Sequence, residues 1–212
     1  MVDTTKMFAQ SAKMIVDIAA HPLPLVSGMD LWFDYCDKVA PDQKSLWKRL
    51  RKLDFEKDSA NLTKWLERLL RKEPPQDKVN GLWFGLFNPE LDDGEVSCQM
   101  YVGGSTGFNP NSTSNEWVCQ LTWMPKGRYS SSQVLTELYR PVETISKNQV
   151  SYLGEAFLCH GYIALVVSHW CHGPMRVNLL GNAAIRAVVM GHDSGDFYRI
   201  SVLTAEKVGK QH

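Results

Sequence analysis

Apolar residues recur through the first third of the chain at intervals of three and four. Phe8, Ala12, Ile15 and Ala19 describe one helix face over residues 5 to 20, and His21-Pro22-Leu23-Pro24 then stops it. A second helix is expected from Met29 to Val39, opened by Ser27-Gly28 and closed by Ala40-Pro41-Asp42. A third is expected at about 43 to 53, with Leu46, Trp47, Leu50 and Leu53 as its buried stripe. The strongest pattern is Asn61 to Lys72, where Leu62, Trp65, Leu66, Leu69 and Leu70 fall at i, i+3, i+4, i+7 and i+8, and Glu67 can pair with Arg71. Pro74-Pro75 and the polar Gln76-Asp77-Lys78 end it. They divide a helical N-terminal subdomain, 1–78, from a second domain, 79–212, unless the chain folds as one continuous domain, 1–212.

Beyond that boundary the period shortens to two. Gly81 to Asn88 is apolar on both faces, while Val96, Cys98, Met100 and Val102 alternate with Ser97, Gln99 and Tyr101. Asp92-Asp93-Gly94 between them is a turn that joins antiparallel neighbours, so the two strands read as a hairpin. A polar loop from Gly103 to Asn115 then leads to a third strand at about 117 to 123. Ser130-Ser131-Ser132 can cap a helix from Gln133 to Tyr139, broken or kinked at Pro141. A longer helix, about 149 to 172, is apolar almost all round and belongs at the centre against the sheet. Ile185 to Met190 and Phe197 to Leu203 flank Gly191-His192-Asp193-Ser194-Gly195-Asp196 as a second hairpin. The fold class is therefore α+β: a helical N-terminal part, then an antiparallel or mixed sheet with hairpins packed on a central apolar helix.

Composition narrows the function classes. With 212 residues and 44% hydrophobic content the chain can close a sizeable core, which argues against disorder. Lys plus Arg equals Asp plus Glu at 23 each, unlike a dedicated nucleic-acid binder. The five cysteines are widely spaced without a CxxC pair, and Met1 to Gln10 lacks the apolar stretch of a secretory signal, so reduced thiols in a cytoplasmic protein are expected. The apolar run Tyr162 to Val167 is far shorter than the roughly 20 residues that cross a bilayer, so no membrane partner is expected.

Cys159-His160 followed by His169, Cys171 and His172 is the strongest chemical cluster, because thiolate and imidazole suit zinc. On a helix only His169 and His172 share a face, so Cys98 or Cys119 would have to complete such a site. The favoured reading is a buried helix with small apolar thiols and a His-rich last turn at its negative dipole end. A cysteine nucleophile at Cys159 or Cys171 suffers from the same geometry, since adjacent helical residues diverge by about 100°. The 191–196 segment could gather two carboxylates and an imidazole, but it reads first as a glycine turn. Gly103-Gly104-Ser105-Thr106-Gly107 lacks the Lys-Ser/Thr ending of a phosphate loop, and no hydrolase, metalloprotease or calcium motif occurs. Lys44, Lys48, Arg49, Arg51 and Lys52 with Lys64, Arg68, Arg71 and Lys72 form one basic concentration, read as a solvated face because Trp47 and Trp65 lie on the apolar side.

The segments Gly81-Leu82-Trp83-Phe84-Gly85-Leu86-Phe87, Tyr101-Val102-Gly103-Gly104, Phe108-Asn109-Pro110, Glu116-Trp117-Val118-Cys119 and Pro125-Lys126-Gly127-Arg128-Tyr129, with the closing 191–196 turn, carry a resemblance. They are similar to uncharacterised bacterial immunity-type proteins found beside polymorphic toxins, over the C-terminal two thirds of the chain. The resemblance implies a protein that neutralises a cognate toxin without chemistry of its own, and so neither an enzyme nor a cofactor carrier. Apart from it, exposed acidic turns suit a basic toxin, with Asp92, Asp93, Glu95, Asp193 and Asp196 as candidates. Trp117, Trp123 and Tyr129 are candidate aromatic anchors. The expected partner is that toxin, with a homodimer as a further association and nucleic acid not expected. The alternative is a small metal- or cysteine-dependent enzyme using Cys159, His160, His169, Cys171 and His172.

Overall fold

The computed structural model describes residues 3–92, 94–145 and 151–205. Helix α1, Thr4–Ala20, is capped by the Asp3 carboxylate, which accepts from the Lys6 amide at 3.2 Å. Helix α2, Leu25–Val39, opens earlier than Met29, because Pro24, extended at φ −53° and ψ 140°, takes the cap position and its carbonyl accepts from the Gly28 amide at 2.7 Å. A 3₁₀ turn, Pro41–Gln43, leads into α3, Lys44–Leu50. Helix α4, Phe55–Lys72, starts at Phe55 instead of Asn61, because the Asp54 side chain accepts from the Lys57 amide at 3.0 Å.

The remaining elements are β1, Gly81–Phe87; β2, Gln99–Ser105; α5, Gln133–Ile145; α6, His160–His172; α7, Met175–Leu180; β3, Ile185–His192; and β4, Tyr198–Thr204. The sheet runs β2-β1-β3-β4, with β1 and β3 parallel and the two outer pairs antiparallel. The fold is α+β with a mixed sheet, and both hairpins form.

Four local expectations are corrected. Residues 117–123 are not a strand: Glu116–Cys119 is a 3₁₀ turn, and only Trp123 bridges to Gly104. Strand β2 lies further along than Val96 to Val102, with Val96 exposed and Gly103-Gly104-Ser105 inside the strand. Those glycines are there because Leu121 and Trp123 cross directly over them; an added Cβ would meet Leu121 at 2.7 Å and Trp123 at 3.1 Å. Helix α5 continues through Pro141 to Ile145. The central helix is not uniform: a 3₁₀ turn, Ser151–Leu153, and a π-helical turn, Gly154–Cys159, precede α6, and 149–150 lie outside the described residues. Helix α7, too short to show a period, was not foreseen in the sequence.

One hydrophobic cluster runs from Met7 to Leu203 and joins the helices to one face of the sheet through Leu82, Phe84, Val102, Val188 and Met190. Helix α6 sits at its centre, buried at every position except His169 and His172. On the other face Trp83, Ala187 and Val189 form a smaller cluster with Phe108, Trp117 and Val118 from the crossing loop.

A single buried carboxylate knits the helical layer together. Asp58 of α4 accepts from the Ser132 hydroxyl at 2.6 Å, the Gln133 amide at 3.0 Å and the Tyr162 hydroxyl at 2.8 Å. Ser132 in turn caps α5, accepting from the Leu135 amide at 3.0 Å. Burial, then the adjacent Asp58 charge, raises the Tyr162 phenol well above its ordinary value, so it remains a donor. Replacing Asp58 with Ala is expected to cost about 3 kcal/mol of folding free energy, since charge-assisted bonds are lost and donors are left buried. Urea unfolding should show the lowered midpoint with an unchanged slope, and Tyr162→Phe should cost about 1 kcal/mol. A midpoint unmoved by Asp58→Ala would remove this carboxylate from its structural role.

Candidate functional site

Parallel pairing of β1 with β3 places the β1–β2 and β3–β4 turns at the same end of the sheet. His192 stitches the two turns together. The Ser194 amide donates to His192 Nδ1 at 3.2 Å, which puts the ring proton on Nε2, and that nitrogen donates to Asn88 Oδ1 at 2.7 Å. Asn88 Nδ2 passes the link to the Ser97 carbonyl at 3.2 Å. In the first turn the Leu91 amide donates to the Glu95 carbonyl at 2.8 Å, and Gly94, at φ +76°, takes the position that needs a left-handed residue.

These turns bring the acidic candidates to one end. Asp92, Glu95 and Asp193 are exposed and Asp196 is half-buried, while Asp93 lies outside the described residues. Glu95 also lines a groove with Glu137 and Arg140 of α5. Glu155 approaches His192 Nε2 at 3.6 Å. Burial, and then the charge of Glu155, pushes the Glu143 carboxyl up to about 7.

Beside this acidic end the far face of the sheet is aromatic. Trp83 Nε1 donates to the Tyr101 hydroxyl at 2.8 Å, and that hydroxyl donates to Asp193 Oδ1 at 2.8 Å. Burial, reinforced by the Asp193 bond, raises the Tyr101 phenol and keeps it protonated as the donor. The exposed carboxylate is thus held by a two-link chain anchored in the sheet. Gly85 makes the pairing of Trp83 and Tyr101 possible, because a Cβ there would stand 2.4 Å from both. Tyr101, Trp83, Leu121, Met124, Cys119 and Phe197 surround a shallow cavity of about 370 Å³. Next to it Tyr129 is 52% exposed, packs on Phe87 at 5.2 Å and carries the Arg128 guanidinium over its ring at 4.5 Å.

The three aromatic candidates occupy different environments. Tyr129 is on the surface, whereas Trp123 is half-buried and donates to the Glu73 carbonyl at 3.1 Å, tying the crossing loop to the end of α4. Trp117 is buried against Phe108 in the smaller cluster. Sequence reasoning missed Tyr101, Trp83 and Met124; the sign available was Gly85 between two bulky aromatics in a strand.

The Cys/His residues are dispersed. His169 Nε2 donates to the Leu23 carbonyl at 2.6 Å, and His172 Nδ1 to the Ser168 carbonyl at 2.9 Å. His160 Nδ1 donates to the Glu155 carbonyl at 2.8 Å, while burial lowers its basicity. Cys159 and Cys171 are buried, which raises both thiols, the latter to about 12. Cys98 adjoins Cys159, but Cys119 is on the opposite face of the sheet. Among the described residues no three His, Cys, Asp or Glu side chains are disposed to hold a metal ion. Of the basic concentration, Arg51 is already engaged by Asp30, Asp34 and Asp37 of α2 at 2.8 to 2.9 Å.

No family model matches the chain, and neither curated proteins nor solved structures give a match. No helix among the described residues is long and apolar enough to cross a membrane.

Two outcomes follow from this geometry. Gly85→Ala should destabilise the chain by about 1–3 kcal/mol through overpacking and should shift the tryptophan emission; an unchanged thermal midpoint would contradict the Trp83–Tyr101 contact. Glu143, with a folded value of about 7 against an ordinary 4.5, holds a proton in the folded chain that the unfolded chain has released between those values. Its contribution to stability is therefore greatest below about pH 4.5 and declines as pH rises through about 7. Glu143→Gln should raise the thermal midpoint above that window and leave it unchanged below; the opposite order would reverse the assignment.

Proposed function

We propose that the chain is a non-catalytic protein-binding protein of the immunity type, which captures a basic cognate toxin on the acid-rimmed aromatic surface. The reading rests on one observation above the others: Asp193 is held in place by Tyr101 and Trp83, beside exposed Tyr129 and Met124. An ordinary solvated turn does not need a carboxylate oriented by a half-buried tyrosine and the buried tryptophan behind it. A binding surface gains from it, because a fixed charge and rigid aromatics lose little conformational entropy on association. Aromatic and Met side chains at the centre with charge at the rim match the composition of protein interfaces. Asp92, Glu95 and Asp196 extend the same sign around the rim and would steer a basic partner.

In this reading Tyr129 and Met124 are the anchors, Asp193 the oriented charge, and Trp117 and Trp123 supports for the loop beneath. With His169 and His172 bound to separate backbone carbonyls and Cys171 buried, the metal or thiol alternative has no assembled site among the described residues.

The test is co-expression with the product of the adjacent gene, followed by calorimetry of the purified pair. A stoichiometric complex is expected, with Tyr129→Ala costing about 2 kcal/mol of binding. Asp193→Asn should slow association and flatten its dependence on salt. No complex, or a complex indifferent to both substitutions, would overturn the proposal.

A further inference from the structure

A cavity of about 570 Å³ lies at the opposite end of the sheet, between the end of α4, the 74–77 segment and α7. That is within the range of sites that hold small metabolites. Its inner wall carries Arg186, the second residue of β3, only 1% exposed. The strand alternation puts Arg186 on the same face as the core residues Val188 and Met190, where an arginine is out of pattern.

Two of its five N–H donors are used. Nε donates to the Val79 carbonyl at 2.9 Å and Nη1 to the Leu179 carbonyl at 2.7 Å. Both acceptors are neutral, and among the described residues no carboxylate comes within ion-pair distance of Arg186. Nη2 has no acceptor among the described residues and is not sealed from solvent, so it faces the cavity free to donate. Burial works against the charge, while Asp77 at the rim supports it from a distance. A guanidinium taken out of water without a counter-charge is costly, and an anion in the cavity would offset that cost.

The rest of the wall is suited to such a ligand. Arg71 of α4 lines the same space, and the pair with Glu67 that its spacing allows is not formed. Asn178 and Asn182, both exposed, also line the cavity, with the Asn178 amide donating to the Met175 sulfur at 3.5 Å. Gly181, at φ +54°, turns the chain after α7 and lines the cavity next to Arg186. Glu67 and Asp77 balance the two arginines, so the cavity suits a polar molecule with an oxyanion at one end better than a polyanion.

We propose that this cavity is a binding site for the oxyanion, carboxylate or phosphate, of a small polar molecule, held by the free edge of Arg186 and by Arg71. The planar fork of Arg186, fixed by two backbone carbonyls, presents its remaining donors as a preset clamp.

The probes are inorganic phosphate and acetate, each compared with chloride at matched ionic strength and pH on the full chain. The readouts are the thermal midpoint and the Arg186 Nε–H resonance. One of the two oxyanions should raise the midpoint saturably and shift the resonance while chloride does neither, and the one that does so distinguishes phosphate from carboxylate. Arg71→Gln, at an exposed position, should weaken that binding at least about tenfold. Asn178→Trp, also exposed, should fill the cavity and abolish it. Identical midpoints in all three salts with an unmoved resonance would overturn the proposal, as would an oxyanion effect that persists unchanged in both variants. Arg186→Lys, which keeps the charge and loses the fork, should fold and bind more weakly than the parent.

Discussion

Asp58 is where the helical layer is fixed. Its carboxylate stands on α4, takes the first amides of α5 together with the cap residue Ser132, and accepts the Tyr162 hydroxyl from α6. An ionised carboxylate buried in an apolar layer is tolerated only when its oxygens are satisfied, and three segments distant in sequence must converge to do so. Hydrophobic burial brings α4, α5 and α6 together but is non-directional. The Asp58 bonds, with Trp170 Nε1 donating to Thr63 Oγ1 at 2.8 Å and Ser168 Oγ to the Ile18 carbonyl at 3.1 Å, specify how far each helix slides along its neighbours, and therefore where α6 lies on the sheet.

The sheet transmits that placement to its far side. With one face committed to α1 and α6, the other is left to be covered by residues 106–123, a segment too short to cover it all. It buries Trp117, Phe108 and Val118 over β1 and β3 and ends near Trp123, whose indole is tied back to Glu73. What stays uncovered is the end where Gly85, Tyr101 and Asp193 meet. The aromatic surface is thus the part of a two-faced sheet that the crossing loop does not reach, and the Trp83–Tyr101–Asp193 chain satisfies the polar atoms that such partial cover would otherwise strand.

Much of the helical scaffold was legible in the sequence, because amphipathic periodicity is local. The faces of α1 and α4 and the 185–203 hairpin follow from residue spacing and turn chemistry alone. The exceptions have tertiary causes. Residues 117–123 carry strand-like composition, but their partner edge on β2 is taken up only at Gly104, so they coil and pack instead of pairing. The strand glycines Gly103 and Gly104 read as loop until Leu121 and Trp123 are seen lying over them. At the candidate surface the acidic turns were evident from Gly and Asp, whereas the link behind them was not: only the register that sets Tyr101 opposite Gly85, beside buried Trp83, shows that Tyr101 carries Asp193. Arg186 was invisible for a similar reason. Nothing local distinguishes a buried arginine from a strand-edge one, and only the carbonyls of Val79 and Leu179 reveal its setting.

The mixed sheet also separates the two surfaces. Strands β1 and β3 run in parallel from Gly81 and Ala187 to Leu86 and His192, so their starts and finishes lie at opposite ends. Arg186 is at the starting end and Asp193 follows the finishing end, a span of about 20 Å along the strands. Two unit charges at that distance interact by only about 0.8 kcal/mol at an effective dielectric constant of roughly 20. Direct electrostatic crosstalk between an anion at Arg186 and a partner at Asp193 is therefore weak. Any coupling between them must pass through a displacement of β3 itself, and β3 is clamped on both sides, by β1 and by β4. A rigid strand held at both edges favours independent sites, so the oxyanion cavity and the aromatic surface are expected to respond to substitution separately.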